Sequence, residues 1–179
     1  MTGRPLRHAA LAFALAAGLA GCGEGAPPSA AIRRAALVAD PAPVLDAELE
    51  LVLSRTMLDA LERGIALELV LIVEGHDADA ELRERHTLKL RWLPLARRWQ
   101  LRDASGAERH FASRAQLLAA LDRVRVPLDP AWLALVDDGT FSLTLSLDTG
   151  ALPGPLRLPA LFQRGWRLPD TSLTWHAGS

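Results

Sequence analysis

The only cysteine in the chain, Cys22, ends an apolar run from Ala9 to Ala20 in the order Leu19-Ala20-Gly21-Cys22. Its thiol is the one thiol nucleophile in the chain and a candidate for covalent modification. Asp148-Thr149-Gly150 follows an alternating apolar pattern and puts a carboxylate on a turn, a group of the kind that serves in acid-base chemistry. Glu74, His76, Asp77 and Asp79, with His86 further on, offer carboxylate and imidazole donors of the kinds that hold calcium or zinc. Asp170, Ser172 and His176 contain the residue types of a hydrolase triad. Trp92, Trp99, Trp132, Trp166 and Trp175 could line a ligand or peptide groove.

The spacing weakens most of these. Nothing fixes the mutual geometry of the acidic and histidine group, and polar residues between two strands are ordinarily solvated turn residues. A triad gathers from separate elements around a nucleophile turn, whereas Asp170, Ser172 and His176 lie within one extended segment. No phosphate-binding glycine loop or dinucleotide fingerprint is present. The tryptophans read as core. Asp148-Thr149-Gly150 resembles the active-site loop of retroviral-type aspartic proteases, which implies Asp148 as catalytic carboxylate. That family follows its motif with a long β-rich body and an apolar-apolar-glycine segment; here a short proline-rich stretch follows Gly150. A strand ending in a turn explains Asp148 and Gly150 equally well. The expectation is therefore no catalytic residue, no metal, no cofactor, and one modification, at Cys22.

Ahead of Cys22, Arg4 and Arg7 form a basic start and small residues close the apolar run, the layout of a secretory signal over residues 1–21. The run falls short of the roughly 20 apolar residues that cross about 30 Å of hydrocarbon. Leu19-Ala20-Gly21-Cys22 resembles the bacterial lipobox, in which the cysteine becomes the first mature residue and carries acyl groups, palmitate among them. The competing reading is an ordinary signal cut near Ala20 or Ala26. The lipobox implies a lipoprotein held in the membrane through Cys22 by several chains, at roughly 0.8 kcal/mol per buried methylene. Gly23 stands where an aspartate would resemble the inner-membrane retention signal, so outer-membrane attachment facing the periplasm is favoured.

Composition sets further bounds. The chain carries 20 Lys+Arg against 21 Asp+Glu, a net charge of −1, and losing Arg4 and Arg7 makes the remainder more acidic. A nucleic-acid partner would want a basic face, so none is expected. With the cysteine committed to the anchor there is no disulfide and no thiolate metal site, and stability must come from packing. Residues 22–43, where Gly23, Gly25, Pro27, Pro28, Pro41 and Pro43 stand among alanines, read as a lipidated N-terminus and flexible tether. Residues 44–179 read as a single globular domain.

Within that domain Leu45, Ala47, Leu49 and Leu51 alternate with Asp46, Glu48 and Glu50, the period of a half-buried strand. Ser54 caps a short helix with Met57, Leu58 and Leu61 on one face, and Gly64 stops it. Strands follow over 65–74, 85–92 and 98–102, with His86, Leu88, Leu90 and Trp92 sharing a face. Ser113 caps a second helix whose apolar face runs Leu117, Leu118, Leu121, Val124, and Asp129-Pro130 starts a helical turn. Residues 141–147 give the clearest strand. From Gly150 to Trp175 proline is too dense for a central strand, so edge strands and an extended wrap are predicted, with Trp166 and Trp175 plugging the core. The sum is an α+β domain, a mainly antiparallel sheet of about five strands with two or three helices packed on it; the alternative is a β-sandwich with inserted helices.

Three stretches, residues 58–74, 111–125 and above all 145–175, resemble an uncharacterised proteobacterial envelope family, domain of unknown function forty-three-ninety. The last carries leucine-aspartate at Leu147-Asp148, leucine-proline-x-proline-leucine from Leu152 to Leu156, and a serine-x-x-tryptophan ending at Trp175. Trp92 and Trp99 stand where that family usually has tyrosines. The resemblance implies no known activity, makes Asp148 part of a structural ending, and suggests a membrane sensor kinase as partner, since members are often encoded beside one. The function expected is that of a non-catalytic periplasmic binding or accessory protein.

Overall fold

The computed structural model describes residues 27–39 and 41–177. The predicted signal and the lipidation at Cys22 lie outside the described residues. In chain order the elements are β1 (Ser29–Ala39), β2 (Pro43–Val52), α1 (Arg55–Glu62), β3 (Leu67–His76), β4 (Glu81–Leu93), β5 (Arg98–Arg102) and β6 (Glu108–Phe111). There follow α2 (Arg114–Ala119), β7 (Arg123–Pro127), a 3-10 turn at Pro130–Leu135, β8 (Thr140–Leu147), α3 (Gly154–Phe162) and β9 (Thr171–His176), with 3-10 turns at Thr149–Ala151 and Arg164–Trp166. The strands make two antiparallel sheets, β1-β2-β7 and β6-β5-β4-β3-β8-β9. The buried faces of both sheets feed one core. The chain is thus α+β and mainly antiparallel, with nine strands among the described residues rather than about five.

Alternation decides the large sheet. Leu67, Leu69, Leu71 and Val73 of β3 face the core beside Leu88 and Leu90 of β4 and Phe141, Leu143 and Leu145 of β8. Ser54 accepts from the Met57 N–H at 3.1 Å to start α1, and Gly64 at φ 83° ends it, as its type predicts. Gly75 interrupts β3 for a different reason. A Cβ there would stand 2.7 Å from the Trp132 ring and 3.0 Å from Phe141, so the glycine makes room for the two aromatics.

Three expectations are corrected. The tether predicted over 22–43 includes β1, which pairs with β2 so that Ala35 faces Ala47 and Leu37 faces Leu45. A register shift between Ile32 and Arg34 breaks the period of two, so Ile32 and Ala35 both reach the core at a spacing that hides the strand from pattern reading. The folded domain therefore begins at β1 and not at residue 44. Second, Val124 belongs to no helix face: α2 ends at Ala119, and Val124 and Val126 point inward from β7. Third, the proline-rich wrap contains a helix. Pro155 sits in the first turn of α3, where its fixed φ fits and no N–H is needed; Pro159 lies inside, which helps keep the helix short.

The small sheet is tied by charge as well as by its ladder. Asp46 on β2 accepts from Arg123 on β7, Nε at 3.0 Å and Nη2 at 2.7 Å, and from Arg125 Nε at 3.3 Å. The Arg123 hydrogen bond, the largest influence, holds the Asp46 carboxyl below its ordinary 3.8 against the opposing pull of burial. A depressed carboxyl stabilises the fold above its unfolded value and ceases to do so as pH falls through the folded one. Asp46→Asn is expected to cost about 1–2 kcal/mol at neutral pH. The deficit should shrink as pH drops below 3.8, which thermal melts at neutral and acid pH will show.

Candidate functional site

Asp148 arrives at the end of β8, where its N–H donates to the Glu68 carbonyl at 2.8 Å. One carboxylate oxygen, Oδ1, accepts from the Gly150 N–H at 2.9 Å and the Ala151 N–H at 3.2 Å, capping the 3-10 turn that follows. The other, Oδ2, takes Arg85 Nη2 at 2.7 Å, from the solvent face of β4. Shared-proton hydrolysis needs a second carboxylate against the first. The group against Asp148 is a guanidinium.

The proposed metal donors fall on two sides of the sheet. Glu74 projects outward and pairs with Arg83 at 3.0 Å, with Ser142 Oγ donating to it at 3.2 Å. Asp77 accepts from the N–H groups of Asp79 and Ala80, both at 2.7 Å, and closes its own turn. His86 points inward with Leu88, two residues along β4. Among the described residues no three of His, Cys, Asp and Glu are placed to hold a metal ion. The triad types do not converge either. Asp170 precedes β9, Ser172 lies across from Thr144, and His176 Nδ1 sits 3.0 Å from Thr140 Oγ1.

One polar hub escaped the sequence reading. Glu84 shares the inner face of β4 with His86, and its Oε1 accepts from the Trp132 indole N–H and, at 2.9 Å, from the Asp129 N–H. Its Oε2 lies 3.0 Å from His86 Nε2, a buried nitrogen that makes no hydrogen bond. A carboxylate on a covered face must find donors. The parity of Glu84 with Leu82 and Leu88 was the available signal. Its effect is to bolt the Pro130–Leu135 turn to the sheet.

The tryptophans are structural. Trp99, Trp132 and Trp166 are buried, Trp92 and Trp175 partly so. Trp132 and Trp175 each stack with Phe141, at 6.3 and 5.5 Å between centroids, and Trp92 meets Trp99 at 4.9 Å. On the other face of the large sheet Lys89 pairs with Glu68 at 2.7 Å, and Thr140, Ser142, Thr144 and Ser146 of β8 run beside Val70 and Ile72 of β3.

No curated protein and no solved structure matches the chain. A family model does, over residues 28–176, from the start of the described fold to the last residue of β9. The segments from β1 to the serine-x-x-tryptophan ending thus form one family unit, and the chain belongs to the family described as domain of unknown function (DUF4390).

Proposed function

We propose that this chain is an envelope lipoprotein, held by acyl groups on Cys22, whose domain acts by contacting another envelope protein and not by catalysis. The observation that carries the second half is the engagement of Asp148: both carboxylate oxygens are taken, by two turn N–H groups and by Arg85. A group used so sets the geometry of a turn and would have to abandon its cap to handle a substrate proton. The anchor half is supported by the Leu19-Ala20-Gly21-Cys22 order at the end of an apolar run. Gly23 favours the outer membrane with the domain in the periplasm. The partner proposed is a membrane-proximal protein, a sensor kinase's outer domain being the candidate named by the family resemblance. β1 starts at Ser29, so the chain from Cys22 to the fold spans at most roughly 25 Å.

Photo-crosslinking in the native envelope from Ser172 or Thr174, both exposed on β9, is expected to recover that partner. Asp148→Asn should keep the crosslink and lose about 1 kcal/mol of stability through the weakened cap and ion pair. A purified protein with hydrolytic activity that Asp148→Asn abolishes, at unchanged melting temperature, would refute the binding reading.

A further inference from the structure

Helix α3 buries little of one face. Leu158, Leu161 and Phe162, at spacing i, i+3, i+4, are 68%, 53% and 75% exposed. Open apolar side chains scattered singly need no explanation, but three adjoining on one ridge do. Arg157, Arg164 and Arg167 are exposed around it, and no Asp or Glu occurs between Gly154 and Leu168, in a chain whose net charge is −1. An apolar ridge whose own segment carries three arginines and no carboxylate, with Asp170 at the edge beside Leu161 and Arg167, matches the boundary of an anionic bilayer, the ridge entering the acyl region and the guanidinium groups reaching phosphate.

Position points the same way. Pro27, where the described chain begins, lines a hollow of about 450 Å³ together with Gln163, Arg164 and Gly165, next to the end of α3. Cys22 precedes Pro27 by a stretch that can span at most roughly 18 Å. The segment is also held firmly. Ser54 Oγ donates to the Gly165 carbonyl, and a Cβ on Gly165 would come within 2.5 Å of Thr56 Oγ1, so the 3-10 turn at Arg164–Trp166 is seated against α1. Arg167 Nη2 donates to the Leu161 carbonyl at 3.1 Å and closes the end of the helix.

We infer that the α3 ridge of Leu158, Leu161 and Phe162, with Arg157, Arg164 and Arg167, is a membrane-contact surface that seats the domain on an anionic phospholipid bilayer. The inference deepens the anchored reading and rests on it for the direction the ridge faces in the cell, but its test does not need the acyl chains.

The chain from residue 22 onward, carrying Cys22→Ser, contains every described residue and cannot be S-acylated there. It is floated with vesicles of phosphatidylglycerol and phosphatidylethanolamine, and separately with phosphatidylcholine vesicles. Binding is expected to the anionic vesicles only, and to weaken at high salt. Phe162→Asp should lower it about tenfold and Arg164→Gln about fivefold. Both variants should melt like the parent, since the side chains are exposed. Absence of binding to anionic vesicles, or equal binding by parent and Phe162→Asp, overturns the inference. So does a lipid-free dimer that Phe162→Asp disperses, because the ridge is then a protein interface. Vesicle binding alongside an unacylated Cys22 in cells would leave the ridge standing and remove the anchor.

Discussion

Trp132→Ala is expected to unfold the domain or leave it barely stable. Trp132 is 1% exposed, among the largest fully buried side chains described, and it fills the space that Gly75 leaves open in β3. Removing such a ring typically costs about 3–5 kcal/mol. Here the loss is compounded, because Glu84 would forfeit the indole N–H and keep only the Asp129 donor. Against a total stability of roughly 5–15 kcal/mol, that is a large fraction. Denaturant melts followed by circular dichroism measure it directly. Trp132→Phe separates the two contributions: it retains much of the packing while removing one of the two donors to Glu84, and should cost about 1–3 kcal/mol. A Trp132→Ala protein melting within a few degrees of the parent would mean that the Pro130–Leu135 turn is not fastened to the core. Trp166→Ala should approach the same cost, since Trp166 is equally buried, whereas the half-buried Trp175 should cost less.

Cys22→Ser is expected to release the protein from the membrane, leaving precursor or soluble periplasmic material. No helix among the described residues is long and apolar enough to cross a bilayer. Several acyl chains at roughly 0.8 kcal/mol per methylene hold a protein essentially permanently, while a ridge of three apolar side chains with cations gives reversible, salt-sensitive contact. Fractionation followed by a high-salt wash distinguishes these strengths. Cys22→Ser protein that resists the wash would dispose of the lipid anchor.

Much of the fold is legible because it obeys simple periods. Phe141, Leu143 and Leu145 against Ser142, Thr144 and Ser146 declare β8, and Ser54 with Met57, Leu58 and Leu61 declares α1. What stayed hidden was whatever broke a period or depended on distant chain. β1 is alanine-rich and bulged; Val124 satisfies a helical spacing from Leu117 and a strand spacing to Val126, and only the partner β2 decides between them. Pro155 and Pro159 argued against a strand correctly but gave no sign that a first-turn proline would open a helix. At the candidate site, the turn chemistry of Asp148 and Gly150 was readable locally. Arg85, which completes it, comes from another strand and could not be read from spacing. Glu84 lies just ahead of the strand predicted over 85–92, and its role depends on Trp132, which comes from a distant turn.

The order β4-β3-β8 also sets a hazard for the newly made chain. β3 and β4 form a hairpin and can meet as soon as both exist, but the far side of β3 waits for β8, with Leu71 finding Leu145 only after α2, β7 and the Pro130–Leu135 turn have been laid down. During that interval β3 presents a long, apolar, unpaired edge, a template onto which a second nascent copy can add. A chain cut short before Thr140 would carry that edge permanently. Its first failing would be self-association through that edge.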